Sequence, residues 1–275
     1  MVTDRTIWLF WEGPRPPYIE LCLETILRRH PDARLLDRAA FDTLWRHDRD
    51  LPIDRLSLNH LSDFVRAYCL AYHGGLYLDV DCVLLRSLDP LLDMAAVHGF
   101  VGYREPQGYM SCNFMAARAG SAVARDHYAR VVARLRQNNG PLQWLDLASA
   151  RMNEAIAAHG RDALILPTRS IMPLPWQDSA ALAMSRDDAA HEPFLPVDSW
   201  CVMLANKTIH EDSRTRDLPR LTRRALLKDR SFLGFLLRRT LGAPDLVPGI
   251  SDPARHALGR EARGGPAVRM GRARD

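Results

Sequence analysis

The sequence predicts an α/β fold in which helices flank a mixed sheet. The first observation is an opening in which short apolar segments alternate with amphipathic ones, as in strand–helix–strand–helix units with parallel strands. The second is a helical pattern over 58–72 that stops at Gly74-Gly75 and leads into an apolar strand. The third is the pair Asp79 and Asp81 at the end of that strand, where ligands bind in open α/β sheets.

In the first part of the chain, apolar runs predict strands, and apolar spacings of three and four predict helices. The predicted strands are 6–11, 33–36, 76–78 and 83–85, and the predicted helices are 18–29, 38–45 and 58–72. Asp37 is expected to cap the second helix, because its carboxylate can accept from a free backbone N–H group. Residues 46–56 are predicted as a loop and 88–92 as a turn.

The later part of the chain continues the sheet and then becomes irregular. The predicted strands are 99–103, 109–117 and 163–166, and the predicted helices are 121–137 and 142–159. Prolines interrupt 167–196, and 200–205 and 208–210 are short apolar pieces. We therefore predict one large domain over 1–215, a basic amphipathic helical segment over 216–247 and a poorly ordered tail over 248–275.

Composition restricts the class of protein. The 275 residues are 47% hydrophobic and 25% charged, as in globular domains, and no apolar run reaches the roughly 20 residues that span a bilayer. The start, M-V-T-D-R-T, lacks the charged and apolar regions of a secretory signal. The five cysteines are scattered without C-x-x-C spacing, which argues against zinc or a disulfide framework. We expect a cytoplasmic protein.

Positive charge is concentrated from Arg214 onward, although the net charge is only +4. Residues 220–239 alternate basic and apolar side chains. One interpretation is an interfacial helix that docks on an anionic membrane surface, which would place the protein at the inner face of the cell membrane. The other is a solvated helix that covers the domain. We expect no nucleic-acid partner.

Asp79 and Asp81 are expected to share one side of the strand end. Side chains alternate along a strand, so Tyr77 projects with the two acids while Leu76 and Leu78 project the other way. Placing two carboxylates beside a buried strand costs folding free energy unless a ligand or an ion binds them. A divalent cation that carries phosphates would do so, because hard cations prefer carboxylate oxygens. The alternative is a pair of solvated acids in a turn.

A local resemblance points to one possible use of these acids. The string D-V-D-C-V resembles the D-x-D-x-[TV] of haloacid dehalogenase-type phosphatases, in which the first Asp attacks phosphorus and the second acts as acid or base. Such phosphohydrolases also need a later Lys and a second acidic pair. The lysines here are Lys207 and Lys228, and neither is followed by a strand that ends in paired acids.

A wider resemblance covers residues 6–210 and is densest at 58–92. The run S-D-x-x-R followed by G-G-x-Y-x-D-x-D resembles the sugar-binding D-x-D region of family 32 and capsular-polysaccharide-type glycosyltransferases, which include bacterial glucosylating toxins. The opening F-W-E-G-P, the later H-P-D and Gly140-Pro141 are similar to other parts of that family. The resemblance implies a GT-A fold and sugar transfer. A non-catalytic sugar-nucleotide-binding protein stays open as an alternative.

The resemblance also implies a divalent cation, Mn²⁺ or Mg²⁺, and a nucleotide-sugar donor. Asp81 would bind the cation directly, and Asp79 would contact the ribose or sugar of the donor and reach the cation through water; the two form the predicted catalytic pair. A UDP-sugar is favoured and a GDP-sugar is the alternative. The acceptor would be a glycan or a lipid-linked sugar in bacterial surface polysaccharide assembly, with retention at the anomeric carbon.

Residues before the D-x-D are implied to contact the donor. Asp63 and Arg66 resemble sugar contacts of the family, and the alternative is an i,i+3 surface ion pair. Tyr77 resembles a residue that faces the donor, although an ordinary strand aromatic has the same pattern. Gly75 would let the backbone pass close to the ligand.

More distant residues complete the implied site. Trp11 resembles an aromatic that stacks on the nucleobase, with a buried structural Trp as the alternative. Asn113 is expected to touch the sugar. His210 would add a late metal ligand, and Glu211 and Asp212 are the other candidates for that role.

Overall fold

The residues described are 5–137, 140–178, 198–213, 215 and 217–242 of a computed structural model of the chain. Their strands are β1 (Ile7–Phe10), β2 (Arg34–Leu36), β3 (Gly75–Leu78), β4 (Cys82–Leu84), β5 (Phe100–Tyr103), β6 (Phe114–Ala117), β7 (Ala163–Leu166) and β8 (Cys201–Met203). Their α-helices are α1 (Pro17–Leu27), α2 (Arg38–Leu44), α3 (Leu58–Tyr72), α4 (Asp89–His98), α5 (Ala122–Gln137), α6 (Ser149–His159), α7 (Asn206–Glu211), α8 (Arg223–Lys228) and α9 (Phe232–Leu241). Short 3₁₀ turns cover Ile53–Arg55, Gly160–Asp162, Thr168–Ser170 and Leu218–Arg220.

Among the described residues, a six-stranded mixed sheet forms the centre, with the strand order β2-β1-β3-β6-β5-β7. Strand β1 lies parallel to both β2 and β3, whereas β6 pairs antiparallel with β3 and β5, and β7 is parallel to β5. A separate antiparallel pair joins β4 to β8. The predicted α/β class with a mixed sheet flanked by helices is confirmed, and the carboxyl ends of β1 and β3 meet at one edge.

Apolar side chains of the strands separate into two clusters, one on each face of the sheet. Leu76 and Leu78 lie in the first cluster with α1, α4, α8 and α9, whereas Tyr77 lies in the second with α2, α3, α5 and α6. The helices present their own apolar stripes to these faces, as amphipathic helices do. The alternation predicted for β3 is therefore confirmed.

Local signals explain which element boundaries were predictable. Helix α3 and strand β7 have the predicted bounds, and the Ala40 N–H donates to Asp37 Oδ1 at 2.7 Å, which confirms the cap of α2. The turn predicted over 88–92 is wrong, because Asp89 and Pro90 begin α4, and proline fits the first turn of a helix.

Other predictions were too long or assigned the wrong class. Strand β6 begins only at Phe114, α6 begins only at Ser149, and 208–210 belong to a helix. Residues 179–197 of the irregular stretch and the predicted tail over 248–275 lie outside the described residues.

The basic amphipathic segment forms two helices that pack into the first cluster. Apolar side chains of α8 and α9 are buried against α1 and β4, and they are Leu226, Leu227, Phe232, Leu233, Phe235, Leu236, Leu237 and Leu241. Arg223 of α8 pairs with Glu24 of α1, and Arg28 donates to the Leu241 carbonyl. This arrangement fits a segment that covers the domain, because the apolar side chains that an interfacial helix would insert into lipid are in the core. Within the described part of the chain, no helix has the length and hydropathy to cross a bilayer.

Candidate functional site

The candidate site lies where β1 and β3 end. Strand β3 stops at Leu78, and Asp79 to Asp81 form the turn before β4. The Asp79 N–H donates to the Asn113 carbonyl at 2.9 Å, which continues the β3–β6 pairing by one residue. Because β1 is parallel to β3, Trp11 follows β1 at the same edge. The sheet therefore delivers the two acids to the edge where ligands bind in such folds.

Helix α3 brings Arg66 to this edge. Its Nη2 donates to Asp79 Oδ1 at 3.1 Å and to Ser62 Oγ at 3.0 Å, and its Nη1 lies 3.6 Å from Asp63 Oδ1. The side chains of Asp63 and Arg66 are each only 8% exposed, so the surface ion pair is excluded. The structure brings Asp63, Arg66 and Asp79 together as one cluster, in which the Asp79 side chain is 28% exposed.

Tyr77, on β3, packs against the Arg66 side chain of this cluster. Its side chain is fully buried, its hydroxyl lies 2.9 Å from Ser62 Oγ, and its ring centroid lies 4.9 Å from Arg66 Cζ. A cation over an aromatic face is stabilised by the ring quadrupole. Its position is that of a buried strand aromatic that holds Arg66, and its predicted contact with the donor stays a prediction.

The charge of the cluster is unbalanced. Burial raises the pKa of Asp63 to about 6, opposed by the charge of Arg66. Burial, followed by the negative charge of Asp79, raises the pKa of Asp81 to about 6. Burial also raises the pKa of Asp79, again opposed by Arg66. Arg66 is thus the guanidinium that faces all three carboxylates, and a bound cation would relieve the remaining repulsion.

The donor set fits a hard divalent cation. Asp81 and Asp79 offer carboxylate oxygens, which Mg²⁺ and Mn²⁺ prefer, and such ions complete their shells with phosphate and water. No group of three His, Cys, Asp or Glu side chains that could hold a metal exists among the described residues. A cation here would be held by these two acids and by ligands that the substrate brings.

His210 does not join the two acids as a third ligand in this structure. It lies exposed on α7, and its Nε2 is 3.2 Å from the Tyr18 hydroxyl. Glu211, on the same helix, lies 3.9 Å from Lys207 Nζ, and the Asp212 N–H closes the helix on the Thr208 carbonyl. His210, the predicted late ligand, therefore contacts Tyr18 rather than the two acids.

The segment before α7 holds Asp81 from the other side. The Asn206 N–H donates to Asp81 Oδ2 at 2.6 Å, and the Leu204 N–H donates to the Asp81 carbonyl at 2.9 Å. Asn206 is 125 residues away from Asp81 in sequence, so no local spacing signals this contact. The sequence reasoning missed Asn206 and Tyr18 for this reason, whereas Ser62 lies in the S-D-x-x-R run, only four residues before Arg66.

Gly75 lies at the opposite end of β3 from Asp79. Its φ is +93°, and a Cβ there would come within 2.2 Å of the Thr6 carbonyl oxygen. The four residues to Asp79 span about 13 Å of strand. This glycine allows close packing of β3 on β1, and the role predicted for it beside the ligand stays a prediction.

The remaining predicted residues border the acids. Trp11 is half-buried, and its Nε1 donates to the Pro14 carbonyl at 3.3 Å. Asn113 Oδ1 accepts from the Tyr103 hydroxyl at 2.7 Å and from the Ser111 hydroxyl at 3.0 Å, so its amide nitrogen is the group that could meet a sugar.

Glu105 is a further buried acid that the sequence did not single out. It is only 6% exposed, and within the described residues its Oε2 has no hydrogen-bond partner. Burial raises the pKa of its carboxyl, while Ser111 and Tyr103 lower it through hydrogen bonds. The polar network around Asn113 therefore continues into the protein.

Comparisons with known proteins agree with this site. Residues 16–97 match the family model described as a glycosyltransferase sugar-binding region containing a DXD motif. This segment holds α1, α3, the cluster and the D-x-D turn. The curated protein sequences give no match.

Solved structures with a similar chain path include three glycosyltransferases. GlyE of Streptococcus pneumoniae is 10% identical, with 91% of this chain and 66% of that chain covered and a TM-score of 0.48. The galactosyltransferase LgtC in complex with donor and acceptor sugar analogues is 14% identical over 91% of this chain and 99% of that chain, with a TM-score of 0.46. PaToxG glycosyltransferase is 15% identical over 57% of this chain and 69% of that chain, with a TM-score of 0.42. At these identities and TM-scores, the similarities establish neither the activity nor the substrate of this chain.

Proposed function

We propose that this chain is a GT-A glycosyltransferase that moves a sugar from a nucleotide-sugar donor to a glycan acceptor. The supporting observation is the cluster of Asp63, Asp79 and Asp81 around Arg66 at the carboxyl ends of β1 and β3, in which Asp63 and Arg66 are buried and Asp79 and Asp81 are half-buried. The cluster lies within the segment that matches the sugar-binding region containing the DXD motif. Acids facing one guanidinium suit a ligand that brings both hydroxyl groups and a cation.

Each side chain has a role that follows from its position. Asp63 would accept from sugar hydroxyls, and Arg66 would hold Asp79 and donate to the sugar or a phosphate. Asp81 and Asp79 would hold Mn²⁺ or Mg²⁺, which when bound neutralises charge on the departing diphosphate. Trp11 would stack on the nucleobase at the end of β1.

The proposed transfer retains the anomeric configuration. The acceptor hydroxyl would attack the anomeric carbon on the face that the diphosphate leaves, and the diphosphate would take the hydroxyl proton. Double displacement would instead need a carboxylate close to that carbon. Asp63 and Asp79 are already engaged by Arg66, which favours the front-side route. The anomeric configuration of the product, read by proton NMR, tests this.

The wider setting is proposed from the sequence resemblance. We favour a UDP-sugar over a GDP-sugar as donor, and a glycan or lipid-linked acceptor in bacterial surface polysaccharide assembly on the cytoplasmic side. Contact with an anionic membrane through 220–239 would have to use exposed basic side chains such as Arg224 and Lys228, because the apolar ones are buried.

Calorimetric titration with a panel of UDP- and GDP-sugars, with and without Mn²⁺, tests the proposed function. Mn²⁺-dependent binding of one donor, followed by transfer or slow donor hydrolysis, is the expected result. Donor binding without either reaction would indicate a non-catalytic binding protein. Turnover of p-nitrophenyl phosphate without nucleotide-sugar binding would replace the transferase by a phosphohydrolase.

A further inference from the structure

We propose that Tyr18 and Asn206 are positioning residues that hold Asp81 in the orientation that cation binding needs. The inference rests on the proposed function, because it concerns the carboxylate assigned there to the cation. Neither residue belongs to the D-x-D or to the S-D-x-x-R run.

The two residues form a continuous chain of hydrogen bonds to Asp81. Tyr18, in the first turn of α1, is fully buried, and its hydroxyl donates to Asn206 Oδ1. The Asn206 N–H in turn donates to Asp81 Oδ2 at 2.6 Å. A charge-assisted bond of this length to one carboxylate oxygen fixes the rotation of the carboxylate.

The backbone beside Asn206 adopts an uncommon conformation at this contact. Ala205 has a φ of +53°, a left-handed conformation that residues with a Cβ adopt at a cost. On either side of it, the Leu204 N–H donates to the Asp81 carbonyl and the Asn206 N–H donates to its carboxylate. The Tyr18 hydroxyl holds the Asn206 side chain, so the left-handed residue is fixed on both sides.

The same hydroxyl also contacts His210. The Tyr18 hydroxyl oxygen lies 3.2 Å from His210 Nε2, within hydrogen-bond distance. Tyr18 therefore joins the segment that clamps Asp81 to the histidine that follows it on α7.

Removing the Tyr18 hydroxyl should let the Asp81 carboxylate rotate more freely without leaving a cavity in the core. In Tyr18→Phe the ring keeps its packing, while Asn206 Oδ1 loses its donor and the Asn206 backbone loses its anchor. Groups that orient metal ligands typically contribute about 10–100-fold to metal affinity. We expect a loss of at least about tenfold in Mn²⁺ affinity for Tyr18→Phe and for Asn206→Ala.

The test is a Mn²⁺ titration of the metal-free protein, with free Mn²⁺ read by electron paramagnetic resonance, and with thermal unfolding recorded for every variant. Because both residues act through one hydrogen bond, the double variant Tyr18→Phe/Asn206→Ala should bind no more weakly than either single variant. Tyr68→Phe is the matched control: this tyrosine is 1% exposed and its hydroxyl donates to the Leu44 carbonyl at 3.1 Å, so it also loses a buried hydrogen bond.

Three outcomes would overturn the inference while leaving the cation site standing. The first is unchanged Mn²⁺ affinity in folded Tyr18→Phe and Asn206→Ala, and the second is a double-variant loss equal to the product of the single losses. A loss of the same size in Tyr68→Phe would also overturn it, because general destabilisation would then explain the effect. Absence of Mn²⁺ binding by the wild-type protein would instead remove the cation site and the positioning pair together.

Discussion

Asp81 is held by the backbone on one side and repelled by a carboxylate on the other. The Asn206 N–H fixes Oδ2, while burial and the charge of Asp79 both disfavour ionisation. Arg66 offsets only part of this, since it is already shared by Asp63 and Asp79. Among single residues, Asp81 is therefore the one whose charge a cation would stabilise most.

We expect Asp81→Asn to abolish Mn²⁺-dependent donor binding with little loss of stability. The amide keeps the shape and an oxygen that can accept from Asn206, but it removes the charge that binds the cation. Calorimetric titration with the donor and Mn²⁺ measures the loss. Asp54→Asn is the control, because the Asp54 side chain is 91% exposed and lies outside the cluster. Unchanged Mn²⁺-dependent affinity in Asp81→Asn would refute the assignment.

The Mn²⁺ affinity should fall as the pH is lowered through 6. Burial raises the pKa of Asp81 to about 6, and a cation binds the ionised carboxylate in competition with the proton. One displaced proton predicts about a tenfold loss of affinity per pH unit below 6. Titrations between pH 5 and 7.5 measure this slope. A flat profile would show that Asp81 does not bind the cation.

The stability of the metal-free protein should change in the opposite direction. The pKa values of Asp63 and Asp81 are raised from 3.8 to about 6, so the folded state retains protons that the unfolded chain has released. Their contribution to stability is present below about pH 4 and is lost as the pH rises through 6. Denaturant unfolding of the wild type and of Asp63→Asn across this range isolates the contribution of Asp63.

For single residues, the spacing of motifs in the sequence predicted which side chains come together but not how deeply each is buried. The runs S-D-x-x-R and D-x-D place Asp63, Arg66 and Asp79 on faces that meet, and the structure brings them together. The alternation of a strand does not say which residues a ligand can reach, so Tyr77 was assigned to the donor although it is fully buried. Burial depends on which helices cover the sheet.

The elements around the site depend on close contact between β1 and β3. The conformation and packing of Gly75 make this contact possible, since any side chain there would meet the Thr6 carbonyl. In the helix–turn–strand unit of α3, Gly74-Gly75 and β3, the glycines thus join the helix to the strand.

We expect Gly75→Ala to lower the free energy of unfolding by about 3–5 kcal/mol, because it combines a positive φ with a clash. Gly13→Ala is the control: its φ is +86°, but nothing lies within 4 Å of its Cβ position, so about 1 kcal/mol is expected. Denaturant unfolding measures both. Loss of donor binding in a Gly75→Ala protein of normal stability would support the predicted position of this glycine beside the ligand.

Element boundaries were predictable where two local signals agreed. Helix α3 has a regular apolar spacing, a Ser57 cap and a glycine stop, and its predicted bounds are confirmed. In α4, Pro90 was interpreted as the end of a turn, although proline equally begins a helix. A proline at this position is compatible with a turn and with the start of a helix. The packing of Leu91 and Leu92 in the core decides between the two.

For the whole molecule, the last helices are part of the core. Six apolar side chains of α9 are buried, and they are Phe232, Leu233, Phe235, Leu236, Leu237 and Leu241. At about 1.5–3 kcal/mol each, they contribute about 9–18 kcal/mol. A typical domain has a net stability of only about 5–15 kcal/mol.

A chain that ends before Arg223 should therefore fail to fold cooperatively, whereas one that ends after Gly242 should melt within a few degrees of the full chain. Thermal unfolding and gel filtration compare the two. A soluble, cooperatively folded chain without α8 and α9 that also loses binding to anionic liposomes would instead support the interfacial helix.

The amphipathic pattern of 220–239 could not distinguish these outcomes. An apolar stripe beside basic residues is the same whether lipid or protein covers it. In the structure, the apolar side chains of this segment contact α1 and β4, which lie far away in the sequence. The α/β class was predictable because it depends on local alternation of strand and helix patterns. The contact of residues 204–206 with Asp81 was not, because it joins segments far apart in the sequence.

The contact between Asp81 and residues 204–206 also has a consequence for how the protein is made. Strand β4 pairs with β8, and the Asp81–Asn206 bond joins positions 125 residues apart, so both form only after most of the chain has been synthesised. Contacts of high sequence separation generally form late in folding, because a long loop must close first. A nascent chain that has reached Asp178 already contains the whole D-x-D turn but lacks the backbone donor that orients it. We therefore expect the D-x-D turn to reach its final orientation late in biosynthesis, long after its motif has left the ribosome.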